Sequence, residues 1–136
     1  MQTEHADESF YLAARLVEDS RHDDAIIVLR PLLECELDSM VKSMVCVNMA
    51  TIHGLKGQDS DALLWYERGI GYERAHGRFF VAERKAAFMA EKNWNSDSLT
   101  IYERLLTEPA LTDEDRERIN RNIELLKERF ITNSNK

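Results

Sequence analysis

The chain has 136 residues, 43% hydrophobic and 32% charged, with only 5 Gly and 2 Pro and a formal net charge of −7. Such a length suits one domain that buries roughly two thirds of the surface its unfolded chain exposes, and the composition excludes a disordered chain and favours helices. The acidic balance opposes an electrostatic grip on phosphate backbones, so no nucleic-acid partner is expected.

The start, Met1-Gln2-Thr3-Glu4-His5, has neither the basic nor the apolar region of a signal peptide, and no stretch approaches 18 apolar residues. Secretion and membrane insertion are therefore disfavoured. Cys35 and Cys46 are too few for a disulfide framework and sit in apolar helical stretches, where a reduced, buried thiol is usual. A cytoplasmic protein is the expectation. Residues 1–24 hold seven acids against Arg15 and Arg21, −5 of the −7. That end suits a basic or apolar ligand segment; a plain solvated edge is the alternative.

Helical periodicity starts near Ser9, where Leu12, Ala13, Leu16 and Val17 form one stripe, and pauses at Ser20-Arg21-His22-Asp23. A second helix is predicted from Asp24 through Ile26, Leu29, Leu32 and Leu33 to about Leu37, capped by Asp23 or Asp24. Pro31 falls inside it. An interior proline removes a backbone bond and clashes with the preceding turn, at about 3 kcal/mol, so a kink or a broken turn is expected there.

The third helix begins near Ser39, carries Met40, Met44, Val45, Val47, Met49 and Ile52, and ends at Gly54, Gly57 and Gln58. The fourth spans about Ser60 to His76. Its Gly69 and Gly71 each weaken it by about 1 kcal/mol relative to alanine and are read as points where a neighbouring helix comes close. They follow no strand and lack the remaining pattern of a phosphate-binding loop.

A fifth helix is predicted over about Arg78 to Lys92, then a turn at Asn93-Trp94-Asn95-Ser96-Asp97 and a sixth helix ending around Glu108-Pro109. Thr112-Asp113-Glu114-Asp115 is a helix start, with a capping threonine and acids in the first turn. The last helix carries Ile119, Ile123, Leu126 and Phe130 on one face and suits a lid, with Ile131 to Lys136 expected to fray.

A period underlies these elements. Ala62-Leu63-Leu64-Trp65-Tyr66-Glu67-Arg68 and Ser98-Leu99-Thr100-Ile101-Tyr102-Glu103-Arg104 are variants of one pattern. The small residues Ala25, Ala62 and Ser98 stand 37 and 36 residues apart (25 to 62, 62 to 98), and Ala13, Ala50 and Ala86 keep those spacings twelve residues earlier. Leu29, Tyr66 and Tyr102 supply a bulky group four residues after the first set. Two antiparallel helices approach closely only where side chains are small, and a bulky neighbour one turn on fills the groove so opened. Periods of this length predict stacked helix pairs. Tyr72-Glu73-Arg74 repeats the tripeptide out of phase, so Tyr-Glu-Arg alone carries little weight.

The layout resembles the tetratricopeptide repeat family over nearly the whole chain, from about Ala6 to Phe130. Small-residue sites match Ala13, Ala50, Ala86, Ala25, Ala62 and Ser98, the bulky site matches Leu29, Tyr66 and Tyr102, and Gly57 of the Leu55-x-Gly57 turn agrees. The units exceed the family's repeat of about 34 residues, the early aromatic is replaced by Ser9, Cys46 or Ala82, and Pro31 arrives too early. The resemblance implies an all-α, right-handed superhelix of about seven helices in one domain. Its repeats fall over about 6–38, 39–76 and 78–109, followed by a capping helix over about 113–130 and a frayed tail, 131–136.

The resemblance also implies a concave groove, lined by the first helix of each pair, for a partner's peptide or helix. In members that clamp a C-terminal carboxylate, two basic residues and asparagines grip the ligand. Asn48 and Arg84 match those sites in type, whereas Phe10, Ala14 and Phe80 stand at the others, so the clamp is not reproduced. What remains is a groove with apolar walls from Phe10, Met44 and Phe80 and a polar centre at Asn48 and Arg84. Asparagine can bond a peptide's amide and carbonyl, and arginine can pair with a carboxylate. Ordinary surface roles for these residues are the alternative. Trp65 and Trp94 read as packing residues.

Catalysis would need a converging set. His5, His22, His53 and His76 are scattered, and the best pair, Cys46 and His53 on one face of the third helix, supplies only two of the four ligands zinc takes. No metal, no cofactor and no enzymatic activity are expected. The expected role is a protein–protein interaction module, an adaptor or chaperone-like protein binding a peptide or helix; the alternative is a scaffold that self-associates into a homo-oligomer.

Overall fold

The computed structural model describes residues 2–134, and among them the chain forms seven α-helices, one short 3₁₀ segment and no strand. They fall into two compact units, one ending at His76 and the other starting at Gly77. The first holds α1 (Gln2–Glu18), α2 (His22–Leu29), the 3₁₀ segment Arg30–Glu34, α3 (Ser39–Leu55) and α4 (Asp59–Arg74). The second holds α5 (Phe80–Glu91), α6 (Asn95–Leu105) and α7 (Asp113–Ser134). No described helix is long and apolar enough to cross a membrane.

Three turns share one geometry. Ser20, Gly57 and Asn93 adopt left-handed backbone, with φ of 61°, 76° and 64°. Each is followed by an N–H that closes onto the carbonyl five residues back: Arg21 to Leu16 (2.8 Å), Gln58 to His53 (2.9 Å) and Trp94 to Met89 (2.8 Å). The residue with positive φ donates in turn to Val17, Gly54 or Ala90, at 3.0 Å in every case. This paired bonding occupies carbonyls that a helix end otherwise leaves open. The left-handed residues stand 37 and 36 positions apart (20 to 57, 57 to 93), the spacing of the small-residue registers.

The registers are buried as their chemistry requires. Ala13, Ala25, Ala50, Ala62, Ala86 and Ser98 are at most 4% exposed, and Leu29, Tyr66 and Tyr102 at most 3%. In the second unit the Ser98 hydroxyl donates to the Ala86 carbonyl oxygen at 2.7 Å, so the two small positions face each other across α5 and α6. In the first unit Ala6, Leu16, Ile26, Leu29, Met49 and Ile52 are among the residues of one apolar core.

Pro31 breaks its helix as expected, but earlier than the predicted end at Leu37. The α-helical bonding stops at Leu29, the chain tightens into the 3₁₀ segment, and Cys35 turns to extended backbone (φ −83°, ψ 157°). Proline has no N–H to continue the ladder, whereas the shorter 3₁₀ turn still carries Leu32 into the core. Helix α1 begins well before Ser9, because Ala6 extends the buried stripe and acids near a helix start are favourable. Helix α6 starts at Asn95, inside the predicted turn, since the left-handed residue Asn93 already completes the reversal.

The close-approach reading of the α4 glycines is corrected at Gly71. Gly69 is buried, but Gly71 is exposed and nothing lies within 4 Å of where a Cβ would sit. In the second unit, α7 begins at its predicted cap: the Asp115 N–H donates to Thr112 Oγ1 at 3.1 Å. Ile119, Ile123 and Leu126 bury its apolar stripe, and the helix continues to Ser134. Residues 135–136 of the predicted tail lie outside the described residues. Arg116 donates to the Leu106 and Glu108 carbonyl oxygens (2.8 and 3.0 Å), placing a cation at the end of α6, where the helix dipole favours one.

Candidate functional site

An open groove of about 400 Å³ lies between α1 and α3, lined by Ala6, Asp7, Phe10, Val41, Met44 and Asn48. Three of the five residues singled out from sequence, Phe10, Met44 and Asn48, are thus brought together. Helical spacing does this: Phe10 lies three and four residues after Asp7 and Ala6 on α1, and Asn48 follows Met44 by one turn on α3. Met44 is 38% exposed, so apolar surface faces water here. Asn48 is held by its own helix, its Nδ2 donating to the Met44 carbonyl oxygen at 2.9 Å.

Phe80 and Arg84 belong to the second unit, one turn apart on α5. Phe80 is 46% exposed and borders a hollow of about 520 Å³ that is more polar than the expected apolar wall. Around it, Arg118 makes a forked contact with Glu83 (Nε to Oε1 2.9 Å, Nη2 to Oε2 2.8 Å) and a third bond to Asp115 Oδ1 (2.6 Å). These bonds raise the Arg118 pKa further, while Arg118 and Thr112 hold the Asp115 carboxyl below its ordinary value. Arg84 is exposed and makes no ion pair among the described residues.

Sequence reasoning missed Asp7, Val41 and Ala6 in the groove wall. A signal for the first existed: the spacing of 37 that relates Ser20 to Gly57 also relates Asp7 to Met44 and Tyr11 to Asn48. Tyr11 is 65% exposed and shares its ring face with the Arg15 guanidinium, 5.9 Å from the centroid.

The Cys46 and His53 pair does not converge on a metal position, and no three His, Cys, Asp or Glu side chains do so among the described residues. Cys46 is fully buried, and burial pushes its thiol up to about 11, the opposite of an activated thiolate. His53 is occupied in packing and bonding. Its Nδ1 meets Gln58 Oε1 at 2.7 Å, and its ring stacks on Trp65 at 6.4 Å and 11°, while the Arg68 guanidinium lies 4.5 Å from the Trp65 ring centroid. Trp94 packs edge-on against Phe88 at 5.9 Å. The Asp23 carboxyl is held down by its hydrogen bond and charge contact with Lys56.

No protein-family model, no curated protein and no solved structure matches the chain.

Proposed function

We propose that this chain is a non-enzymatic protein–protein interaction module of the tetratricopeptide-like helical-repeat kind, acting in the cytoplasm as an adaptor or chaperone-like protein. The observation that carries this reading is the groove on α1 and α3, where apolar surface from Phe10, Val41 and Met44 stands open beside the carboxamide of Asn48. Solvent-exposed apolar surface next to a group that bonds peptide backbone is the chemistry of a peptide site. The repeat part of the reading is supported by the three matching turns and their spacing of 37 and 36. In this reading a partner's peptide or helix lies in the groove along α1 and α3.

Selection of a displayed random-peptide library on the immobilised full chain tests it. Enriched peptides should bind the wild type and lose at least ten-fold in affinity against Met44→Glu, a substitution at an exposed position that leaves the core intact. No enrichment, or equal binding to both proteins, would sink the groove reading.

A further inference from the structure

The groove lining holds one formal charge, and no ion pair to it is formed among the described residues. Asp7 lines the wall, is exposed, and makes no ion pair among the described residues. Other charged groups of the unit have contacts of their own. His5 lies 4.0 Å from Glu8, Arg15 stands over Tyr11, and Lys42, next to the lining residue Val41, lies over the Tyr72 ring at 5.9 Å. Lys56 pairs with Asp23, and Arg21 with Asp24 at 2.8 Å. Helix α1 itself carries Glu4, Asp7, Glu8 and Glu18 against the single base Arg15.

Apolar contact and an uncompensated carboxylate therefore occur in one cavity. A ligand anion would meet repulsion at Asp7, and a purely apolar ligand would leave that carboxylate beside a desolvated surface with no partner. A segment with aliphatic side chains and a nearby lysine or arginine satisfies both. Asn48 adds an acceptor: its Nδ2 is engaged with Met44, while Oδ1 can take a hydrogen from a peptide N–H.

Resting on the peptide-groove reading above, we propose that the groove's occupant is an aliphatic–basic segment of a partner protein. Its aliphatic side chains lie on Phe10, Val41 and Met44, and its cation pairs with Asp7. The charge supplies selectivity more than affinity, because an exposed pair is worth a factor of about five at most and fades with salt.

The test uses the full chain and two fluorescein-labelled synthetic peptides, one alternating leucine pairs with lysine and one with every lysine replaced by glutamate, read by anisotropy at low and high salt. The lysine probe should bind several-fold more tightly than the glutamate probe, with the gap shrinking at high salt. Asp7→Asn should narrow the gap and Asp7→Lys should invert it. Glu18→Lys makes the same change in net charge on the same helix, outside the groove lining, and should leave the order intact. Equal binding of the two probes, or inversion by Glu18→Lys as well, overturns the proposal. So does a dimer in light scattering that Met44→Glu converts to monomer, because the occupant is then a second copy. If library peptides bind in a Met44-dependent way yet glutamate probes match lysine probes, only this inference falls; if nothing binds, the groove reading falls with it.

Discussion

In the unit ending at His76, the inter-helix hollow is walled by Phe10, Val41 and Met44 around one carboxylate, Asp7, that has no counter-ion among the described residues. In the unit starting at Gly77, the hollow beside Phe80 is bounded by Arg78, Glu83, Asp115 and Arg118, and the last three of these are joined in one ionic cluster. Charges consumed internally stiffen a structure and offer a ligand little, whereas an unmatched charge beside apolar surface leaves interactions to be completed from outside. Both units are built on the same kind of helix-pair turn, so the difference lies in the side chains that line each hollow.

The comparison breaks most directly at Glu83. Its side chain is only 14% exposed and takes both prongs of Arg118. Glu83→Gln removes the charge from a forked ionic contact and should cost about 1–2 kcal/mol in urea unfolding. A loss near zero would mean that the second hollow is as open to ligands as the first.

A smaller effect, about 1 kcal/mol, sharpens the likeness of the turns. Gly57→Ala should destabilise by about 1 kcal/mol, since a Cβ is strained at φ 76° even where space is open. Ser20→Gly should stabilise by about 0.5–1 kcal/mol, and Asn93→Gly by less, because asparagine tolerates the left-handed region better than serine. Chemical-denaturation midpoints check the order; a destabilised Ser20→Gly would show that its turn is not equivalent to the one at Gly57.

The smallest effect is read in acid and has one carboxylate in each unit. Asp115 has its carboxyl held below the ordinary carboxylate value in the folded protein by Arg118 and Thr112. A depressed folded value gives stability that is complete above the unfolded value and drains as pH falls through the folded one. Thermal unfolding should therefore show an acid limb beginning below about pH 4 that is shallower in Asp115→Asn. Asp23, held down by Lys56, is the corresponding carboxylate of the first unit, and Asp23→Asn should flatten the same limb. Identical limbs in wild type and both variants would contradict these assignments.

Much of the helical layout was legible because its causes are local or periodic. The buried registers of Ala13, Ala50 and Ala86, and of Leu29, Tyr66 and Tyr102, follow from size alone, and Pro31 acts within a single turn. The start of α1 was hidden by Glu4, Asp7 and Glu8, which dilute an apolar stripe that Ala6 in fact continues. Gly71 misled because a helical glycine signals either close contact or mere tolerance, and only neighbouring atoms decide between them. Of the groove, Phe10, Met44 and Asn48 could be named, as large or bonding side chains invite attention. Asp7 carried the spacing of 37 to Met44 but merged with the acidic edge around it, because only the structure sets Val41 and Met44 across from it.

The three matching turns are shaped by main-chain bonds from Arg21, Gln58 and Trp94, whose side chains are left out of that bonding. Each has taken different employment: Arg21 reaches Asp24, Gln58 steadies His53, and Trp94 packs on Phe88. A joint fixed by its backbone leaves the identity of its following residue free to vary, which makes the exposed ones, Arg21 and Gln58, natural attachment points for a reporter dye or a cross-linker.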